Sequence, residues 1–218
     1  MNQKITSVKL KKIVRQNWLF FGPYALLLVG TGVLQISFSQ GSLSRNINQL
    51  HTPWADVFFK YMTQVGDGFF AIFVVLILLF IQRLWAGLAG LCFLVSGIVT
   101  QFLKRVVFDD EVRPSKFFEG QWAGFHRVEG VDLLTSNSFP SGHTTSAFAV
   151  FCLLALLVRD KRWGGVFLML ACLVGYSRLY LFQHFMIDVY VGSLIGTITT
   201  VLLYYYFYSR NRLGISPP

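Results

Sequence analysis

His184 and Asp188 stand four residues apart, so on a helix they share a face. The carboxylate can then accept a hydrogen bond from one ring nitrogen while the other points outward as a nucleophile or base. A second histidine, His143, follows Pro140, Ser141 and Gly142 in a run that reads as a helix start with Ser141 as its N-cap. Unpaired backbone N–H groups and the positive end of the helix dipole favour an anion there, and Gly142 lets an oxyanion approach the backbone closely. Lys104, Arg113 and Arg178 add cationic donors, the arginines being suited to bidentate contact with phosphate oxygens. Two histidines and three cations, without a carboxylate cluster, point to phosphoryl transfer through a covalent phosphohistidine. One histidine attacks and the other protonates the leaving group. The run Asp109-Asp110-Glu111 reads as a solvated loop, and no metal or cofactor is expected.

The elements that must hold these groups are membrane spans. The 218 residues are 54% hydrophobic, 17% aromatic and only 13% charged, which is the wrong mixture for a soluble domain, a disordered chain, a coiled coil or a disulfide-stapled module. Segments near the length needed to cross a bilayer run approximately from Trp18 to Phe38, Val65 to Ile81, Leu84 to Leu103, Ser141 to Val158, Trp163 to Leu181 and Met186 to Tyr208. The first is too long, and lacks the cleavage site, for a removed signal peptide, and is expected to be retained. The fold class is therefore an all-α membrane protein, a six-helix bundle forming one domain over residues 1–218. Gly192 and Gly196, spaced as GxxxG, are expected to pack helices closely inside that bundle.

The net charge of +9 does not imply nucleic acid, because the basic residues lie between apolar segments rather than along an aromatic-lined groove. They set orientation instead. With a cytoplasmic N-terminus, Lys4, Lys9, Lys11, Lys12, Arg15, Arg83, Arg159, Lys161, Arg162, Arg210 and Arg212 fall inside. Arg45, Lys60, Lys104, Arg105, Arg113, Lys116, Arg127 and Arg178 fall outside, so the split is eleven to eight. Both termini are then cytoplasmic, and the chemistry-bearing residues meet at the outer face. Cys92, Cys152 and Cys172 lie within apolar runs and are expected to pack the core; the C-x5-R spacing of Cys172 and Arg178 is accidental.

The same residues form a three-part signature that resembles the type 2 phosphatidic acid phosphatases, the PAP2 superfamily, whose members include vanadium-dependent haloperoxidases. The resemblance covers about Lys104 to Asp188. Pro140 to His143 match the motif PSGH, and Ser177, Arg178, His184 and Asp188 match SR-x5-H-x3-D without a gap. The first motif, K-x6-RP, is met with a departure: eight residues, not six, separate Lys104 from Arg113-Pro114, so that Lys104 or Arg105 could take the cation position. The resemblance implies His184 as nucleophile, Asp188 as its orienting partner and His143 as the general acid that later activates water. Lys104, Arg113, Arg178, Ser141 and the Gly142 backbone would bind the phosphate, at the outer surface of a six-helix bundle.

A haloperoxidase is disfavoured because those relatives are typically soluble. A non-catalytic phospholipid-binding or transport protein is disfavoured because binding alone needs no oriented nucleophile. The expected partner is the bilayer and a lipid phosphate within it; the family's choices include undecaprenyl diphosphate, phosphatidylglycerophosphate, phosphatidic acid and lipid A. An outward site in a bacterial inner membrane suits the first and the last. The loop from Ser115 to Ser138, carrying Phe117, Phe118, Trp122, Phe125 and His126, is expected to cover the pocket and tune headgroup choice.

Overall fold

A computed structural model describes residues 10–210, and among these it is entirely helical between loops. Lys4, Lys9 and Arg212, which enter the charge count, lie outside the described residues. The long helices are α1 (Trp18–Ser37), α4 (Gly68–Ile81), α5 (Arg83–Phe102), α7 (Gly142–Leu157), α8 (Trp163–Tyr180) and α9 (Met186–Ser209). Two short helices, α2 (Gln40–Asn48) and α3 (Pro53–Met62), fill the segment between the first two apolar runs. A further short helix, α6 (Pro114–Phe117), opens the loop before α7.

Each of the six apolar runs of the sequence becomes a helix. Among the described residues, four helical segments are long and apolar enough to cross a membrane: α1, residues Arg83–Val107, α8 and α9. A fifth arises if Pro53–Gly66 and Gly68–Ile81, bent by 57° at their junction, are taken together. The bend explains why α4 starts three residues later than the hydropathy suggests: a 3-10 turn over Thr63–Gly66 ends at Asp67, whose extended backbone breaks the helix.

The apolar surface is turned both ways. Ile36, Leu26 and Phe80 on the outside of the bundle are 89%, 75% and 91% exposed, a pattern that belongs in hydrocarbon rather than water. Inside, α7 is apolar all round and almost wholly buried, as a central helix must be. It packs against α9, α8 and α5. The contact with α9 depends on the glycine pair: a Cβ on Gly192 would lie 2.7 Å from the Ser141 carbonyl oxygen, and one on Gly196 would strike the Thr145 carbonyl and lie 2.9 Å from the Ala149 nitrogen. Both obstacles are backbone, so neither can swing aside. Gly196→Ala is therefore expected to lower the melting temperature in detergent, with a cost of about 1–3 kcal/mol for overpacking. An unchanged melting curve would show that α9 is not seated on α7 in this way.

Cys92 and Cys152 are buried in the core, and Cys172 is half-buried. Cys172 faces an apolar cavity with Tyr24, Phe148 and Tyr190, whose lining does not include Arg178. The C-x5-R spacing thus has no counterpart in space.

Candidate active site

The close seating of α9 on α7 brings the PSGH run beside the start of α9, where the Ser141 N–H donates to the Asp188 carbonyl at 3.0 Å. Between them and the C-terminal end of α5 lies a cavity of about 650 Å3. Its wall includes Lys104, Arg113, Gly142, His143, Arg178 and His184, six of the eight residues singled out in the sequence. Asp188 stands behind His184. Ser141 is fully buried outside the wall, and its hydroxyl accepts from the Thr144 hydroxyl at 2.9 Å rather than capping α7 through a backbone N–H.

The imidazole of His184 is 2% exposed, with Nδ1 3.1 Å from Asp188 Oδ2. The same oxygen accepts from the Phe185 N–H at 3.0 Å and the Ser138 hydroxyl at 2.5 Å. A carboxylate oxygen receiving three contacts is held as an acceptor, which places the ring proton on Nδ1 and leaves Nε2 unprotonated on the opposite edge. Burial, reinforced by Arg178, Arg113, Lys104 and His143, pushes the His184 pKa well below the ordinary imidazole value. The ring is thereby neutral near pH 7. Ser138 was not among the residues the sequence suggested; its position two residues before PSGH is the only signal that could have marked it.

His184 sits in a tight turn after α8. Phe182 there has φ 60°, a left-handed conformation that costs a non-glycine residue about 1–2 kcal/mol. The turn is fixed by rings: Phe118 and Phe125 pack on Phe182 with centroids 5.5 and 5.0 Å away, and Phe117 meets Phe185 edge-on at 5.5 Å. This corrects the expectation for the 115–138 loop, because Phe117, Phe118 and Phe125 do not line the cavity; they brace the backbone that carries His184. Ring packing holds them there, with the guanidinium of Arg45 4.9 Å from the Phe125 ring. His126 turns elsewhere, pairing with Asp56 at 2.8 Å and stacking on His51. The side chain of Trp122 lies outside the described residues. Of the loop, Leu134 and Asn137 reach the cavity.

Three cations are held by fixed acceptors. Lys104 is 8% exposed, and its Nζ donates to the Asn137 and Ser138 carbonyls at 2.9 and 3.4 Å. Arg105 also reaches the rim but is exposed and bonded to Gln101. The geometry therefore favours Lys104 for the buried cation position. The departure in motif spacing coincides with a widened helical turn over Leu103–Val107, closed by a Phe108 N–H to Leu103 carbonyl bond of 2.8 Å. Such a turn absorbs extra residues without breaking the helix. Asn137 has φ 55°, which asparagine tolerates, and its carbonyl is turned toward Lys104 and Arg113.

Arg113 donates through Nε to the Ser136 carbonyl at 2.9 Å and through Nη1 to the backbone and side-chain oxygens of Gln183. Gln183 Oε1 also accepts from Arg178 Nη2 at 3.5 Å, so this residue, unmarked in the sequence, spaces the two guanidinium groups. Arg178 Nη1 donates to Thr63 at 2.7 Å, while its buried Nε has no hydrogen-bond partner among the described residues. A buried, unpaired guanidinium N–H is costly unless an anion completes it. The Asp109-Asp110-Glu111 run is exposed, with Asp109 at the cavity rim.

Apolar helices and an oriented histidine facing a cationic pocket define an integral membrane protein built to handle a phosphate group. The chain belongs to the PAP2 superfamily, whose family model matches residues 85–212. It is similar to the undecaprenyl-diphosphatase BcrC of Bacillus subtilis, 27% identical over a stretch that spans 72% of this chain and 77% of that protein. It is similar in structure to LpxE of Aquifex aeolicus, with a TM-score of 0.61 and 31% identity over 74% of this chain and 92% of that one. The fold is also that of a transmembrane PAP2-type phosphatidylglycerolphosphate phosphatase from Bacillus subtilis, with a TM-score of 0.64 and 22% identity over 89% and 96% of the two chains.

Proposed function

We propose that the protein hydrolyses a phosphomonoester or diphosphate of a membrane lipid through a phosphohistidine, and that it needs no metal to do so. The observation that carries this reading is the His184–Asp188 pair set against a cavity walled by Lys104, Arg113 and Arg178. Nε2 of His184 attacks phosphorus as the bond to the lipid oxygen breaks, and His143 gives its proton to that oxygen. The freed alcohol, or a phosphorylated lipid in the case of a diphosphate, departs. Water then attacks the phosphohistidine, its proton passes to His143, and inorganic phosphate leaves with His184 restored. The Gly142 backbone and the three cations hold the non-bridging oxygens, and the buried Nε of Arg178 is the donor that a phosphate oxygen would complete.

In this reading residues 1–218 act as one domain, and all six apolar helices cross the bilayer. The termini are cytoplasmic, and the cavity opens at the outer face of a bacterial inner membrane. There it meets undecaprenyl diphosphate or lipid A more readily than inner-leaflet phosphatidylglycerophosphate or phosphatidic acid. A cysteine introduced by Gln121→Cys, in the loop beside the cavity, is expected to react with an impermeant maleimide on intact cells. Reaction only after permeabilisation would invert the orientation.

The test of activity is phosphate release by detergent-purified protein, in EDTA, from undecaprenyl diphosphate, phosphatidylglycerophosphate, phosphatidic acid and lipid A. Release from at least one lipid, unchanged by the chelator, is the expected result. A strict dependence on added Mg2+ would contradict the metal-free mechanism. No release from any, with the protein folded, would move the weight to a binding or transport role.

A further inference from the structure

Attack by His184 sends the leaving oxygen toward His143, on the far side of the phosphorus. The space on that side is a second cavity of about 450 Å3 between α4, α5 and α7. Gln101, Gly142 and His143 line both cavities, so the two join at the general acid. The second is walled largely by apolar groups such as Phe93, Leu94 and Ile98, with one formal charge among its lining side chains, the carboxylate of Asp67.

Asp67 is held close to the chemistry by its neighbour. A Cβ on Gly66 would come within 2.8 Å of the His143 carbonyl oxygen, so the turn that enters α4 is pressed against the His143 backbone. The carboxylate is not spent on local structure: Asp67 precedes α4 without capping it through its side chain, and it forms no ion pair among the described residues. Asp67 is exposed, and it lines the second cavity together with His143. An anion is thus fixed beside the path that the leaving group must take.

We propose that Asp67 is a specificity-determining residue that disfavours an anionic leaving group, so that the enzyme prefers lipid phosphomonoesters to lipid diphosphates. A monoester releases a neutral alcohol into the second cavity. A diphosphate releases a lipid phosphate, whose negative charge develops next to the Asp67 carboxylate. This inference rests on the proposed phosphatase reaction and deepens it by choosing between its two substrate classes.

The experiment compares initial rates of phosphate release from phosphatidic acid and diacylglycerol diphosphate, which share a lipid, for the wild type, Asp67→Asn, Asp67→Glu and His184→Ala. Asp67→Asn is expected to raise kcat/KM for the diphosphate relative to the monoester by roughly tenfold, the scale of one repulsive charge several ångströms away at intermediate dielectric. Asp67→Glu keeps the charge and is expected to keep the wild-type ratio. An unchanged ratio in Asp67→Asn, with both lipids turned over, would overturn the role of Asp67 and leave the phosphatase reading standing. So would an equal shift in the Asn and Glu variants, which would trace the effect to shape rather than charge. If the wild type released no more phosphate than His184→Ala from either of these lipids, or from undecaprenyl diphosphate, phosphatidylglycerophosphate and lipid A, the phosphatase reading would fall and the inference with it.

Discussion

His184→Ala is expected to reduce phosphate release to the no-enzyme background while leaving the protein folded and monodisperse in detergent. The size of the loss follows from the role. Where the nucleophile forms a covalent intermediate, its removal takes away the step itself rather than a stabilising contact, and losses of about 10^4-fold or more are usual. Folding survives because the variant does not strand a buried charge: Asp188 Oδ2 keeps the Ser138 hydroxyl and the Phe185 N–H. The pH dependence of stability supplies an independent readout. Burial holds the pKa of His184 in the folded protein below its ordinary 6.5, so below that pH the unfolded chain takes up a proton that the folded one refuses. That contribution is fully present above 6.5 and is lost as pH falls, and the Ala variant lacks it. Wild type and variant should therefore converge in stability on the acid side. Residual turnover within tenfold of wild type would refute nucleophilic catalysis by His184.

The parts of the site legible in the sequence are those whose partners are near in the chain. His184 and Asp188 are one helical turn apart in number and meet across 3.1 Å in space. The PSGH run and the RP pair carry their own local geometry. Apolar runs likewise gave all six long helices to within a few residues, since length and composition decide whether a segment is buried in hydrocarbon. The hidden parts are long-range. Ser138 reaches Asp188 across 50 residues, Gln183 reaches Arg113 across 70, and Thr63 reaches Arg178 across 115. Nothing in their types marks them. The loop aromatics misled for a related reason: a phenylalanine near a pocket looks like a lid, but the rings of Phe117, Phe118 and Phe125 find aromatic partners in Phe182 and Phe185, and Phe118 is buried among them.

The placement of Lys104 shows how backbone irregularity can hide a motif. Read by spacing alone, two surplus residues leave Lys104 and Arg105 equally eligible. One widened turn at the end of α5 turns the lysine inward to the Asn137 and Ser138 carbonyls and leaves the arginine at the rim. The element that holds Lys104, the 136–138 strip, also holds Arg113 through the Ser136 carbonyl and Asp188 through the Ser138 hydroxyl. The short 136–138 strip thus sets the distance between Lys104 and Asp188, so changes in it are expected to move both together.

His143→Ala is expected to separate the two halves of the reaction. If His143 protonates the departing oxygen, its loss should slow release from a lipid phosphate by about 10^2–10^4-fold, the usual range for a positioned general acid. A nitrophenolate leaves without a proton. With p-nitrophenyl phosphate the first step should then survive in the variant, while water attack on the phosphohistidine, which needs His143 as a base, remains slow. The visible result is a burst of nitrophenolate stoichiometric with enzyme followed by slow turnover, together with an accumulated phosphoenzyme that is stable in alkali and labile in acid. The position of His143 favours a clean experiment: it stands at the first turn of α7 and lines both cavities, so truncation to Ala enlarges open space instead of emptying the core. Equal slowing of the lipid reaction and of the nitrophenolate burst would remove His143 from leaving-group protonation. A burst that also vanished in His143→Ala, His184→Ala being silent as expected, would instead assign His143 to binding the phosphate.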